Sequence, residues 1–249
     1  GLSGPSSTTS GGGAQITLTT STKSGDNYIV FASSKNDTTS AGVKTDTTST
    51  IQVHGGAVTN VTVNPSVATN VSADTRTITI QGFAKDQYNN PAAEGTNVSC
   101  TWIDYGGGNT GSGSQNTSST TTVSGTATFI FTTSDTAGDN YLVICTSNNK
   151  TGTSGILTVI AGAASSIVVT PVSGNIIAGN TQVITTTLKD ARGNLKSGES
   201  VTIEILDDSD GYGTLSEDPI NSGITNQWNS RARYGNSDAN GLLTALYTA

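Results

Sequence analysis

Charge is scarce in this 249-residue chain: Asp, Glu, Lys and Arg together make up 12% of it, about half the share usual in soluble domains. What charge there is leans acidic, with 11 Lys and Arg against 18 Asp and Glu, a net charge of -7 and a pI near 4.5. Nucleic-acid binders need clustered cations to displace counterions from phosphates, so nucleic acid is excluded as a partner. A single His, His54, would have to serve any imidazole-centred triad alone, and there is no Gly-x-Ser-x-Gly elbow, zinc-binding His pair or phosphate loop. A carboxylate pair, which needs only proximity in space, is the one catalytic arrangement left open. The chain reads as non-enzymatic, with no catalytic or metal-binding residue assigned. Long apolar runs are missing too. No stretch approaches the roughly 18 apolar residues of a membrane span, residues 1–13 lack the apolar core of a signal peptide, and Met is absent. We therefore expect a mature or excised portion of a longer secreted protein.

The surface left by so little charge is built from Thr, Ser, Asn and Gly, while 33% of the residues are apolar and fall in short alternating runs. That pattern belongs to strands with one buried face and separates the chain from disordered sequences of low hydrophobicity. The runs repeat. Ser24-Gly25-Asp26-Asn27-Tyr28-Ile29-Val30 returns as Ala137-Gly138-Asp139-Asn140-Tyr141-Leu142-Val143, each preceded by a Thr-rich alternating run, at 14–19 and 127–132. Gly-rich junctions follow, His54-Gly55-Gly56-Ala57 and Ala161-Gly162-Ala163-Ala164, so new repeats begin near 57 and 164. Within those repeats, Ile78 to Asp86 matches Ile184 to Asp190. Both runs close on Lys-Asp and enter turns, Gln87-Tyr88-Asn89-Asn90-Pro91 and Ala191-Arg192-Gly193-Asn194-Leu195, made of residues that favour tight turns. Strands resume at 97–102 and 200–205. Short strands at this spacing, with no helical period, predict an all-β chain of tandem β-sandwiches in a linear array.

These motifs resemble the bacterial immunoglobulin-like domain, group 1, found in invasin and intimin adhesins and other surface proteins. Residues 190–203 follow the family's Asp-x-x-Gly-Asn-Pro turn and strand except for Leu195 at the Pro position; residues 86–98 keep Pro91 but carry Asn89 for Gly. Asp238-Ala239-Asn240-Gly241 and the alternation after it follow a second family pattern. The resemblance implies immunoglobulin-like repeats on a cell surface. It divides the chain into 1–56, the closing part of one repeat; 57–163, a complete repeat; and 164–249, the opening part of a third. The two partial repeats are complementary. Either the chain is an excerpt of a longer array, or copies assemble head to tail, residues 14–54 of one completing 164–249 of the next.

Candidate sites follow from these equivalences. Cys100 corresponds to Ile203 and Cys145 to Ala32, and both thiols face the core. They form either a disulfide, which an oxidising extracellular location favours, or two buried thiols. N-glycosylation sequons begin at Asn36, Asn60, Asn70, Asn97, Asn116 and Asn149; they carry sugar in an archaeal or eukaryotic surface protein and nothing in most bacteria. Asp207-Asp208-Ser209-Asp210-Gly211 is part of a calcium-loop pattern without its closing Glu and reads as a solvated turn. No cofactor is called for; calcium at a junction is the one ion left open. Trp228, Arg231, Arg233 and Tyr234 are either the cap of a sandwich end or a partner-contact loop, being residue types enriched at binding hot spots. Two functions are expected of such a chain. One is a structural component of an extracellular filament, stalk or coat, whose partners are its own copies or further repeats. The alternative is the stalk of an adhesin that binds a cell-surface ligand.

Overall fold

A computed structural model of the chain describes residues 13–34, 44–106, 113–206, 213–217, 224–229 and 231–249. Among them there are strands and no helix, as the period-2 alternation requires.

The middle repeat is a closed sandwich. Its strands, numbered along the whole chain, are β5 (Asn60–Asn64), β6 (Thr69–Ser72), β7 (Thr77–Lys85), β8 (Asn97–Asp104), β9 (Ser114–Gln115), β10 (Ser119–Thr121), β11 (Thr126–Thr132), β12 (Asn140–Ser147), β13 (Lys150–Thr153) and β14 (Leu157–Ile160). One sheet runs β5-β7-β11-β9; the other runs β10-β8-β12-β14-β6, with β13 also on β12. Pro65, which has no N–H to give a ladder, ends β5, and the chain crosses to the opposite sheet, where β6 lies parallel to β14. Alternate residues meet between the sheets: Val61 and Val63, Phe129 and Phe131, Tyr141 and Val143 are each 3% exposed or less. Trp102, Phe131 and Tyr141 form a tilted and edge-to-face cluster with centroids 5.3 to 5.9 Å apart, the geometry favoured by ring quadrupoles.

Cys100 and Cys145 are disulfide-bonded. They lie directly opposite each other on β8 and β12, so the bond joins neighbouring strands of one sheet, and both residues belong to the core.

The first repeat contributes β1 (Asn27–Tyr28), β2 (Phe31–Ser34), β3 (Lys44–Thr47) and β4 (Ile51–Gln52). Their pairings copy those of β12, β13 and β14: Tyr28 opposes Ile51 as Tyr141 opposes Leu157, and Ala32 opposes Asp46 as Cys145 opposes Gly152. The strand expected at 14–19 is not formed; only the bridge residues Gly13 and Leu18 interrupt irregular chain. In the middle repeat the equivalent β11 is held between β7 and β9, and neither neighbour exists here among the described residues. Alternation alone does not make a strand without a ladder to join.

The third repeat comprises β15 (Ala164–Thr170), β16 (Thr181–Asp190), β17 (Ser200–Glu204), β18 (Thr214–Glu217), β19 (Ile224–Asn229), β20 (Ala232–Asn236) and β21 (Leu242–Thr248). Its sheets are β15-β16-β21-β18 and β17-β20-β19, around a smaller core of Leu188, Val201, Ile203, Leu215, Leu243 and Ala245.

Reducing the disulfide, or replacing Cys100 and Cys145 together by Ala, frees a loop of 45 residues in the unfolded chain. By the chain-entropy model this lowers the stability of the middle repeat by about 4 kcal/mol. Denaturant unfolding with and without reductant measures it; an unchanged midpoint contradicts it.

Candidate functional site

The junctions between repeats carry the chain's most distinctive polar chemistry, and both carry the same one. At the end of β7 the turn after Asp86 closes on its carboxylate. Oδ1 accepts the N–H groups of Tyr88 and Asn90, each at 2.9 Å. The other oxygen accepts the Gly56 N–H from the preceding junction and the side-chain amide of Asn90, again at 2.9 Å. Asn90, oriented in this way, spans the junction: its Nδ2 donates to the Thr22 carbonyl at 2.7 Å and its Oδ1 accepts the Ser24 N–H at 3.0 Å.

The second joint repeats this atom for atom. Asp190 Oδ1 accepts from the N–H groups of Arg192 and Asn194, and Oδ2 from the Gly162 N–H and Asn194 Nδ2, at 2.8 to 2.9 Å. Asn194 then donates to the Asp135 carbonyl and accepts the Ala137 N–H, at 2.8 and 2.9 Å. Gly162 is required there, since a Cβ would lie 2.2 Å from the Asp74 carboxyl group, which itself accepts the Ala163 N–H at 2.8 Å.

The loops that receive these Asn side chains are braced alike. The Ser21 N–H donates to the Tyr28 hydroxyl and the Ser21 hydroxyl to Asp26; Ser134 makes the same two bonds to Tyr141 and Asp139. Arg192 and Arg76 add ion pairs to Asp135 at 3.8 and 4.0 Å, but these are substantially exposed and worth little.

A carboxylate has about four acceptor sites, and four donors occupy those of Asp86 and of Asp190. The turn aspartates thus act as fixed acceptors, with their lone pairs committed to N–H groups instead of a cation. The bond from the Asn90 amide, and next that from the Gly56 N–H, lower the Asp86 carboxyl to a pKa of about 2. Burial raises the Asp190 carboxyl, but the Asn194 amide and the N–H groups of Gly162, Asn194 and Arg192 outweigh it and leave it lowered.

The expected site residues scatter over this frame. The sequon residues Asn60, Asn70, Asn97, Asn116 and Asn149 are exposed; Asn36 and the acidic stretch 207–211 lie outside the described residues. Trp228 is on β19, and Arg231, Arg233 and Tyr234 lie in the turn and on β20, so the segment is a hairpin and not a loop. Arg233 is 7% exposed and opposes Ile203 across the β17–β20 ladder, so it faces inward and offers a partner little. His54 lines a junction crevice with Gly55, Pro91 and Glu94. The bridging role of Asn90 and Asn194 was missed by sequence reasoning. The shared Asp-x-x-x-Asn spacing was the available signal, but the groups these Asn residues bind are backbone atoms of Thr22, Ser24, Asp135 and Ala137, which leave no mark on side-chain identity.

No protein-family model matches the chain, and no curated protein matches it. Among solved structures it is similar to the Yersinia pseudotuberculosis adhesin InvE, at 19% identity over 76% of this chain and 50% of that one, with a TM-score of 0.33. It is similar also to domains 4–9 of the surface layer protein SbsC, at 16% identity over 87% of this chain and 33% of that one, TM-score 0.34. A smaller SbsC fragment, domains 5–6, gives 16% identity over 74% of this chain and 86% of that one, TM-score 0.29. The chain thus spans half the length of the adhesin and a third of the larger surface-layer fragment.

Acid should loosen both joints. A carboxyl group lowered in the folded state contributes stability that is complete above its unfolded pKa, near 4, and is lost as pH falls through its folded value, about 2 for Asp86. Thermal unfolding should therefore show a falling midpoint between pH 4 and pH 2. Replacing both Asp86 and Asp190 by Asn should flatten that fall, and a midpoint insensitive to pH across this window contradicts the assignment.

Proposed function

We propose that this chain is a structural component of an extracellular cell-surface assembly, a filament, stalk or coat made of immunoglobulin-like repeats whose copies join head to tail by strand complementation. The observation that carries the proposal is the joint: two successive junctions use the same Asp, Asn and Gly atoms to fix one repeat on the next. A device repeated in this way sets a constant geometry between neighbours, and quasi-one-dimensional arrays are built from such nearest-neighbour contacts.

Other features support the same reading. A surface of Thr, Ser and Asn with 12% charged residues suits prolonged exposure outside the cell, and a disulfide closing a small sandwich suits an oxidising compartment. The exposed Asn60, Asn70, Asn97, Asn116 and Asn149 are proposed N-glycan acceptors. At Asn97 and Asn116 the side-chain oxygen is already used, accepting from the Ser119 hydroxyl and the Ile130 N–H, and a glycan on Nδ2 leaves those bonds in place. Neither catalysis nor a cofactor has a part in this function.

Electron microscopy at rising concentration, with light scattering to follow mass, tests the proposal. Filaments with a regular axial repeat are expected; a persistent monomer or amorphous clumps would overturn head-to-tail assembly and favour the stalk of an adhesin.

A further inference from the structure

The third repeat is open where the middle one is closed. Ile167 and Val169 on β15 pair with β16 as Val61 and Val63 on β5 pair with β7, yet they are 53% and 46% exposed while Val61 and Val63 are each 3% exposed. Between the sheets runs an apolar groove of about 590 Å³, lined by Ile167, Val169, Ile184, Ile203, Leu215 and Tyr247 among others. β17 pairs β20 on one side; on the other, where β8 pairs β12, no strand lies among the described residues. The stretch after Pro171, equivalent to β6, forms no strand for want of a β14 beside it, and Val172 and Ile177 are 90% and 75% exposed.

In the middle repeat the set β12, β13 and β14 covers this place, and the chain contains a second such set, β1 to β4. Its inner face is bare in the complementary way. Ile51 is 37% exposed where Leu157 is 0%, Tyr28 is half-buried where Tyr141 is 0%, and Ala32 is exposed where Cys145 is 0%. The slot of β11 is already filled in the third repeat, because β21 pairs with β16 as β11 pairs with β7. Residues 14–19 of an incoming chain would therefore find no place there, and the segment that fits is 21–53.

Resting on the assembly reading above, we propose the mode of joining: β1, β2 and β4 of a second copy seat on the free edge of β17 and over the groove, in the register β12 has on β8. Ala32 then opposes Ile203, as Cys145 opposes Cys100, and Val30 opposes Ile205, as Val143 opposes Trp102. This is strand addition to an open edge with apolar side chains entering the groove, and because donor and acceptor surfaces differ, the contact is heterologous and propagates. One element must depart from the template. Gly152 on β13 approaches the β5 backbone so closely that a Cβ would lie 2.4 Å from the Val61 oxygen, and Asp46 holds that position on β3, so β3 sits farther from β15 than β13 does from β5.

The middle repeat's disulfide supplies the test. One variant of the 249-residue chain carries Ala32→Cys and another Ile203→Cys; the native cysteines are already paired with each other. The two are mixed and oxidised, and linked peptides are identified by mass. We expect an intermolecular disulfide between positions 32 and 203, and none when Glu204→Cys, whose side chain faces the other side of the sheet, replaces Ile203→Cys. The pair Val30→Cys and Ile205→Cys repeats the test if either first variant fails to fold, with the same link expected. Self-association by light scattering without either link would overturn this docking mode and leave the assembly reading standing. Chains that neither associate nor link would overturn both and leave the groove to a different occupant.

Discussion

A carboxylate that accepts four hydrogen bonds, and thereby aims an asparagine across a junction, is the interaction on which the arrangement of this chain depends. Asp86 and Asp190 each bind two N–H groups of their own turn, one of the junction before it and the amide of the turn's Asn, which they hold where a loop of the preceding repeat receives it. The cost of burying such a group is met by its hydrogen bonds. Because the receiving groups are backbone carbonyls and N–H groups, the joint tolerates Thr22 at one junction and Asp135 at the other without altering its geometry.

Much of the fold was legible in the alternation. Strands with two ladder neighbours appear where the period-2 pattern puts them, as β7, β8, β11 and β12 show. The inward-facing pair Cys100 and Cys145 could be read from position because the core of a strand repeat is a matter of parity. Residues 14–19 carry the same pattern as β11 and form no strand, since a ladder is a property of two chains and alternation belongs to one. The hairpin of β19 and β20 was hidden for a related reason: Arg233 looks like a surface residue in the sequence, and only its opposition to Ile203 across the ladder places it inside. The joints were half legible. Their turns announce themselves through Lys-Asp and the residues after, but a bond from a side chain to a distant backbone atom leaves no mark in the residue it reaches.

Read as a whole, the chain divides its stability between two kinds of contact. Apolar burial and a disulfide hold the middle sandwich; oriented polar bonds hold one sandwich against the next. The first is nondirectional and makes a repeat stable; the second is directional and makes the angle between repeats definite. Stable sandwiches on slack joints would have no definite arrangement.

The most direct measurement of this account is amide hydrogen exchange at Ser24, Gly56, Ala137 and Gly162, whose N–H groups close the two joints, in the native chain and with Asn90→Ala or Asn194→Ala. The account predicts that all four are protected in the native chain, that Asn90→Ala exposes Ser24 and Asn194→Ala exposes Ala137, and that Gly56 and Gly162 stay protected in both variants because their acceptors are the Asp86 and Asp190 carboxylates. Exchange of these four amides at the rate of open loops in the native chain would contradict it.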